Sequence, residues 1–239
     1  MPDPHASRTS PVTPTARTAP TTRTAPVARA RGQLQAVLLD RDGVLNVNRP
    51  DHVTRAEQWR WLPGAIDACA LFTGLGLRLA VVTNQGAVGQ GLLTGHELDR
   101  IHDRMAADLA AVGVPRPVIL HCPHLPESRC PCRKPRPGLI TRAIDRIGVN
   151  PGQALLVGDH DTDLMAAAAA GCWSLHVRSG RGGPPAGYPG CLGSVPTLRE
   201  AAELVMALTK AEWRRPPLRR PEDPHTRAAR PAEKEGARP

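Results

Sequence analysis

The stretch Ala36-Val-Leu-Leu-Asp40-Arg-Asp42-Gly-Val-Leu-Asn46 joins a short apolar run to two acidic residues spaced one residue apart. An unbroken apolar run such as Val37 to Leu39 is typical of a strand that is covered on both faces of a parallel sheet. Because ligands of open α/β sheets bind outside the carboxyl ends of the strands, Asp40 and Asp42 fall where a site would form. Gly43 gives the chain the freedom for a tight turn directly after them. The stretch therefore predicts an α/β fold with a functional site at this edge.

The two carboxylates of this stretch suit a phosphoryl-transfer site. One can attack phosphorus to form an aspartyl phosphate, while the other protonates the leaving oxygen and then activates water. Their like charges repel, and Mg²⁺ would relieve that repulsion because it takes carboxylate and phosphate oxygens as ligands. Asp and Gly are also common turn residues, so a plain turn in which Asp40 and Asp42 only make local hydrogen bonds is the alternative at this point.

The basic character of the chain resides in its two ends. The 239 residues carry a formal net charge of +9. Residues 1–33 hold five Arg against Asp3, and residues 214–239 hold eight Lys and Arg against four acids, which leaves +1 for residues 34–213. Both ends are rich in Pro and Arg, a composition typical of disorder. We predict disordered tails at 1–33 and 214–239 around a single domain at 34–213, with solvated linkers favoured over nucleic-acid-binding arms.

The sequence contains no clear targeting or membrane segment. Residues 1–33 lack an apolar h-region, which argues against a secretory signal, although their Arg, Thr and Ser bias leaves an organelle-transit segment open. No apolar run is long enough to span a bilayer. We expect a cytoplasmic monomer with neither a membrane nor a nucleic acid as partner.

After the acidic stretch, apolar runs and amphipathic segments alternate along the chain. Residues 179–193 are rich in Gly and Pro and are predicted to form a loop. The alternation predicts a Rossmann-like doubly wound parallel sheet. Further strands are predicted at 77–82, 117–120, 154–158 and 174–177, and helices at 65–75, 95–112 (after a Thr94-Glu97 capping box), 138–147, 164–170 and 197–210.

Polar groups follow two more of the predicted strands. Thr83 and Asn84 begin a Gly-rich segment after the second strand, and such a segment can hold phosphate through a hydroxyl and backbone N–H groups. Asp159 and Asp163 follow the strand at 154–158. Since the carboxyl ends of parallel strands share one edge, acids after two separate strands predict a divalent-cation site.

The most specific local signal is a Pro-rich loop that contains three cysteines and a histidine. Three thiolates and one imidazole match a closed, four-coordinate structural Zn²⁺ site with no position left for water. A disulfide, redox thiols and free cysteines are the alternatives, and His121 is an alternative ligand. Cys69, Cys172 and Cys191 are scattered and are interpreted as small buried or incidental residues. The candidate zinc ligands are Cys122, His124, Cys130 and Cys132.

Arg133 and Lys134 leave this loop directly before Pro135. If zinc fixes the loop, Lys134 can place a point charge on a phosphate and Arg133 can act as a bidentate clamp. An ordinary solvated basic pair is the alternative.

In their order along the chain, these motifs resemble those of the haloacid dehalogenase (HAD)-like phosphatase superfamily. The motifs that carry the resemblance are Asp40-x-Asp42, Thr83, Lys134 and Gly158-Asp159 with Asp163. The Cys-Pro-His…Cys-x-Cys-Arg-Lys-Pro loop is similar to that of the zinc-bearing subfamily, which contains D-glycero-D-manno-heptose 1,7-bisphosphate phosphatase and the histidinol-phosphate phosphatase domain. The resemblance covers residues 36–211.

The resemblance implies a Mg²⁺-dependent phosphomonoesterase that works through an aspartyl phosphate. Asp40 would be the nucleophile and Asp42 the general acid and base. The implied phosphate and substrate contacts are Thr83, Asn84, Arg133 and Lys134. The implied Mg²⁺ ligands are the Asp40 side chain, the Asp42 backbone carbonyl and the Asp159 side chain, with Asp163 in support.

The substrate expectation rests on the segment from Thr83 to Thr94, which is more similar to the heptose-type motif than to the histidinol-type one. It departs from that motif at Ala87 and Gln90, and His160 stands where the heptose type carries Lys. The short spacer between His124 and Cys130 is instead similar to the histidinol type. Heptose bisphosphate is therefore the first expectation and histidinol phosphate the second, with DNA 3′-phosphate ends a further possibility. A catalytically silent, zinc-stabilised module with nucleic-acid-binding tails is the alternative from another class.

Overall fold

The computed structural model, which describes residues 33–183 and 187–210, contains a six-stranded parallel sheet. The strand order is β3-β2-β1-β4-β5-β6, and the described strand pairs are all parallel. Strand β1 lies between β2 and β4, so the acidic loop that follows it is at the centre of the sheet edge. The strands are β1 (Ala36–Leu39), β2 (Arg78–Asn84), β3 (Val118–Cys122), β4 (Ala154–Gly158), β5 (Trp173–Val177) and β6 (Cys191–Val195).

Helices cover both faces of this sheet. The helices at 65–74, 95–111 and 198–210 pack on the face to which Val37 and Leu39 point. The helices at 138–147 and 161–170 pack on the face of Ala36 and Leu38. All four β1 side chains are buried, which explains the unbroken apolar run. The predicted doubly wound α/β fold is thus confirmed. The helices are α1 (Ala65–Gly74), α2 (Gly86–Gly89), α3 (Gly95–Ala111), α4 (Gly138–Ile147), α5 (Asp161–Ala170) and α6 (Leu198–Lys210).

Two sequence predictions of local structure are wrong. Residues 191–195 form the edge strand β6 instead of belonging to a loop at 179–193. Their side chains are only partly buried, because an edge strand has one neighbour, and Gly193 interrupts the apolar pattern. Helix α5 begins at Asp161 and not at 164, because His160 caps it by accepting the backbone N–H of Thr162 at Nδ1.

The other predicted elements agree with the structure to within about two residues, including the Thr94-Glu97 capping box. The predicted tails at 1–33 and 214–239, apart from Gln33, lie outside the described residues, and the domain boundaries stay a prediction. Within the described ranges, no helix combines the length and apolarity that a membrane crossing requires.

His102 of α3 is buried beside β3, with its ring centroid 5.8 Å from that of His121. Burial, together with the charge of Arg41, lowers the pKa of His102 to about 3. The pKa of a histidine in an unfolded chain is about 6.5. Between about pH 3 and pH 6.5, the unfolded chain therefore binds a proton at His102 that the folded chain does not bind. Stability should therefore fall as the pH drops below about 6.5.

We expect His102 to remove about 2 kcal/mol from the free energy of unfolding between pH 7 and pH 5. Urea unfolding at the two pH values measures this difference. His102→Leu should lose this part of the pH dependence, whereas His96→Gln, at an exposed position of the same helix, should keep it. An equal pH dependence in wild type and His102→Leu would contradict the assignment.

Candidate active site

A cluster of buried carboxylates lies at the carboxyl edge of the sheet. Asp40 follows β1, Asp159 follows β4 and Asp163 lies in the first turn of α5, and one oxygen of each lies within 4.8 Å of the others. Burial raises the pKa of Asp40 to about 6 despite the attraction of Lys134. Burial and the charge of Asp40 likewise raise the pKa of Asp159 to about 6. Burial and mutual repulsion thus disfavour the charged forms of Asp40 and Asp159. A divalent cation bound between these carboxylates would relieve that repulsion, so the cluster fits such an ion.

Lys134 supplies the positive charge of the cluster. Its Nζ lies 2.8 Å from Asp40 Oδ1 and 2.6 Å from Asp163 Oδ1, and it donates to the Val82 carbonyl at 2.8 Å. Burial alone would lower the pKa of Lys134, but the charges of Asp163 and Asp40 outweigh it and raise the pKa. Lys134 is therefore a fixed cation in contact with Asp40, with its three donors all engaged.

Asn84 and Arg133 hold the chain around Lys134. The Asn84 side chain donates to the Lys134 carbonyl and accepts the Lys134 N–H, both at 3.1 Å, so it positions Lys134 in addition to lining the cleft. Arg133 Nη1 donates to the carbonyl of His124 at 3.0 Å and ties the cleft to the Cys/His loop. The Asp163 carboxylate also accepts the His160 N–H at 3.2 Å, which agrees with a supporting role.

Asp42 is not part of the carboxylate cluster and is held instead by three neighbouring side chains. Arg41 Nη2 donates to both of its oxygens at 2.8 Å, and Asn46 Nδ2 donates at 2.9 Å. Gln85 Nε2 donates to Asp42 Oδ2 at 2.8 Å and also to Thr83 Oγ1 at 2.9 Å. Burial alone would raise the pKa of Asp42, but the Arg41 charge and these hydrogen bonds outweigh it and lower the pKa.

Arg41, Asn46 and Gln85 are site residues that the sequence reasoning missed. Each lies within four residues of a motif residue, which is the signal that could have found them. Their contacts are not readable from the sequence, however, since Gln85 reaches Asp42 across 43 residues.

The segment 179–182 is a second missed part of the site, and it encloses Asp159. Ser179 Oγ donates to the Gly43 carbonyl at 2.7 Å, and Arg181 N–H donates to Asp159 Oδ2 at 2.8 Å. Gly180 and Gly182 pass so close to Asp159 that a Cβ at either position would collide with it. The run of Gly and Ser after a buried strand was the available signal, but it also suits an ordinary loop.

Asp159 is held from the sheet as well. His176 of β5 lies 3.1 Å from the Asp159 carbonyl through Nε2 and 2.9 Å from Ser194 Oγ through Nδ1. Because a carbonyl only accepts, Nε2 carries a proton, and Nδ1 forms a second hydrogen bond with the Ser194 hydroxyl. The missed strand β6 thus contributes to the placement of Asp159.

The predicted Cys/His ligands form a compact group at the end of β3. Five of the six distances between their sulfur and Nδ1 atoms are 3.3 to 3.6 Å, and all are within 4.8 Å. A tetrahedral site with bonds of about 2.3 Å has edges of about 3.8 Å, so one metal ion fits between them after a small expansion. All six cysteines are free of disulfides. His121 is not part of the group, which consists of Cys122, His124, Cys130 and Cys132.

The carboxylates and the basic residues open into one cleft of about 250 Å³. Asp40, Asp42 and Asp159 line it on the sheet side, together with Thr83 and Lys134. Its other charged side chains include those of Arg49, Arg133 and Arg181. The cleft therefore combines a carboxylate that can attack phosphorus with cations that favour a phosphate.

Comparison with known proteins shows which family this chain is similar to. A family model described as HAD-hydrolase-like matches residues 131–190. The chain is 37% identical over 165 residues to the D-glycero-beta-D-manno-heptose-1,7-bisphosphate 7-phosphatase of Bordetella bronchiseptica, with 66% of this chain and 92% of the relative aligned. The chain belongs to the HAD-like heptose-1,7-bisphosphate 7-phosphatase family.

Further members of the heptose-1,7-bisphosphate 7-phosphatase family agree with this placement. The D-glycero-alpha-D-manno-heptose-1,7-bisphosphate 7-phosphatase of Mycobacterium tuberculosis is 38% identical over 160 residues, which cover 63% of this chain and 83% of the relative. A crystal structure of the D,D-heptose 1,7-bisphosphate phosphatase of B. bronchiseptica, complexed with magnesium and phosphate, has a TM-score of 0.68 at 34% identity. It covers 73% of this chain and 99% of that chain. The superfamily resemblance and the enzyme class, a phosphomonoesterase hydrolase, are confirmed, and this argues against a silent binding module.

Proposed function

We propose that the protein removes the 7-phosphate from D-glycero-D-manno-heptose 1,7-bisphosphate through an aspartyl phosphate on Asp40. The observation that carries this proposal is the contact of Lys134 with Asp40, next to Asp159, in a chain whose relatives are phosphatases of that sugar. Relatives for the alpha and the beta anomer have similar identity to this chain, so both anomers are candidate substrates.

In the first step, a carboxylate oxygen of Asp40 attacks the phosphorus of the 7-phosphate. The new O–P bond forms as the bond from phosphorus to the sugar oxygen breaks, and Asp42 donates a proton to that oxygen. The negative charge of the bound phosphate raises the pKa of Asp42 from its low value and so helps it to carry this proton. The Thr83 hydroxyl binds a phosphoryl oxygen, and the fixed positive charge of Lys134 beside Asp40 stabilises the negative charge of the phosphoryl group.

In the second step, Asp42 removes a proton from water, which attacks phosphorus. The bond between phosphorus and Asp40 breaks, inorganic phosphate leaves and the Asp40 carboxylate is restored. The contacts of Asp42 with Arg41 and Gln85 favour its deprotonated form and thus prepare it for this base role.

The residues that would hold Mg²⁺ are Asp40, the backbone carbonyl of Asp42, and Asp159. When bound, Mg²⁺ would neutralise negative charge on the phosphoryl group. Support comes from the raised pKa of Asp40 and Asp159, and from the magnesium and phosphate in the structure of the B. bronchiseptica relative.

Phosphate release from three substrates tests the proposed function. We expect heptose 1,7-bisphosphate to be hydrolysed with a higher kcat/KM than histidinol phosphate or a 3′-phosphorylated oligonucleotide, and only with Mg²⁺. A higher value for histidinol phosphate would overturn the substrate assignment and leave the phosphatase chemistry intact. The monomeric state and the cytoplasmic location stay predictions from the sequence.

Gly180→Ala should weaken the response to Mg²⁺ because its Cβ would displace the Asp159 carboxylate. Loss of support for a metal ligand costs roughly 10- to 100-fold in metal affinity. We expect the Mg²⁺ concentration for half-maximal activity to rise by that factor. Gly183→Ala is the matched control, since a Cβ there meets no atom within 4 Å. The same Mg²⁺ requirement in both variants would contradict the role given to the segment 179–182.

We further propose that the Cys/His group holds one structural Zn²⁺. Purified protein should contain one zinc per chain by elemental analysis, and a strong chelator should lower the melting temperature. Cys132→Ser should lose the zinc and show the lower melting temperature without chelator. Cys191→Ser, which alters a cysteine outside the group, should keep the zinc. Zinc-free protein with an unchanged melting temperature would refute the assignment.

A further inference from the structure

Arg181 connects the reaction centre to the mouth of the cleft. Its backbone N–H donates to Asp159 Oδ2 at 2.8 Å, and its side chain Nη2 donates to the Arg49 carbonyl at 3.0 Å. These two bonds place the guanidinium beside a segment that lies 132 residues earlier in the chain. Arg181 and Arg49 line the same cleft as Asp40.

No acid among the described residues forms an ion pair with Arg181. None of the ion pairs that join described residues includes Arg181. Its guanidinium has five N–H donors and, among the described residues, uses one of them for the Arg49 carbonyl. Arg49, by contrast, pairs with Asp51 through two bonds of 2.7 and 3.1 Å. Arg181 is thus an exposed arginine at the cleft, and most of its donors have no partner among the described residues.

Lys134 and Arg181 both line the cleft but differ in burial and in what they can bind. Lys134 is buried against Asp40, where the transferred phosphoryl group must lie for attack. Arg181 donates its backbone N–H to Asp159, and its exposed side chain reaches the carbonyl of Arg49. A planar guanidinium with free donors recognises phosphate by paired hydrogen bonds.

We propose that Arg181, held in place by the Arg49 carbonyl, binds the phosphate of a sugar bisphosphate that is not transferred. This inference rests on the proposed function and extends it, because it assigns the preference for a bisphosphate to a particular side chain. Arg181 is then a specificity-determining residue, since a monophosphate has no group to place there.

Binding measured without turnover tests this assignment. In an Asp40→Asn background, calorimetry compares D-glycero-D-manno-heptose 1,7-bisphosphate with the corresponding 7-phosphate, in the presence of Mg²⁺. Adding Arg181→Gln should weaken bisphosphate binding by roughly 10- to 100-fold and change 7-phosphate binding by less than about threefold. Arg181→Lys should recover part of the loss. Arg100→Gln, at an exposed position of α3, should leave both affinities unchanged.

The outcomes separate this inference from the proposed function. An equal loss for both ligands would mean that Arg181 only positions Asp159, and no loss for either would mean that it contacts neither; both results overturn the inference. If the bisphosphate binds more tightly through Arg181 but wild-type protein does not hydrolyse it, the proposed function fails and the inference stands. If wild-type protein hydrolyses the bisphosphate but Arg181→Gln leaves its binding unchanged, the proposed function stands and the inference fails.

Discussion

Asp40→Asn is expected to lower kcat by about four to six orders of magnitude, as losses of catalytic nucleophiles do. The amide cannot form the aspartyl phosphate, although it matches the carboxylate in size and still offers an oxygen to Lys134. Steady-state phosphate release with saturating Mg²⁺ measures the loss. Asp145→Asn, on the exposed side of α4, is the control and should retain wild-type turnover.

The stability of Asp40→Asn should not decrease. Burial raises the pKa of Asp40 to about 6 in the folded chain, above its ordinary value of 3.8. A carboxyl with a raised folded pKa loses stability as the pH rises through that window, so at neutral pH its charge opposes folding. Without Mg²⁺, the neutral amide should therefore unfold at the same temperature as wild type or a higher one. Turnover that survives in a well-folded Asp40→Asn would refute the assignment of Asp40 as nucleophile.

Lys134→Met is expected to destabilise the fold by about 3–5 kcal/mol at neutral pH, the cost of breaking a buried ion pair by removing one partner. Asp40 and Asp163 would remain buried without a cation, and the Val82 carbonyl would lose its donor. Turnover should also fall by roughly 10²- to 10³-fold, since a charge that stabilises the phosphoryl group is gone. Urea unfolding and phosphate release measure the two effects.

The destabilisation caused by Lys134→Met should depend on pH. Without Lys134, the pKa values of Asp40 and Asp163 rise further, so both carboxyls are closer to neutral at pH 5 than at pH 8. The stability difference between wild type and Lys134→Met should therefore be smaller at pH 5. Adding Asp163→Asn to Lys134→Met should restore part of the stability, because it removes an unpaired buried charge. Simply additive losses would contradict a coupled network.

The metal proposals and the Lys134 network are linked through Asp163. Its carboxylate lies within the Asp40–Asp159 cluster but already binds Lys134 Nζ and the His160 N–H. A carboxylate with both oxygens engaged in this way is better placed to hold Lys134 than to ligate a metal ion. The role that these contacts favour for Asp163 is to hold Lys134 in place, as the sequence resemblance implies, and not to ligate the metal ion.

The sequence by itself determined the fold class and the residue types of the site. A buried parallel strand can be recognised from its own segment, because its residues form an unbroken apolar run, as in Val37 to Leu39. The start of helix α3 could likewise be predicted from the Thr94–Glu97 capping box. The Cys/His group was also predictable, because its four side chains lie within 11 consecutive residues. These features depend on neighbours in the chain.

Only the tertiary structure decided how Asp42 and Asp159 are held. Gln85 reaches Asp42 across 43 residues, and Ser179 reaches the Gly43 carbonyl across 136. The edge strand β6 was missed because its partly buried side chains leave a weak pattern, yet its Ser194 orients the histidine behind Asp159. Local sequence determines which backbone conformation a segment prefers. These hydrogen bonds, in contrast, form only when segments that are distant in the chain pack together. No period or spacing in the sequence relates their partners, so the sequence alone does not predict them.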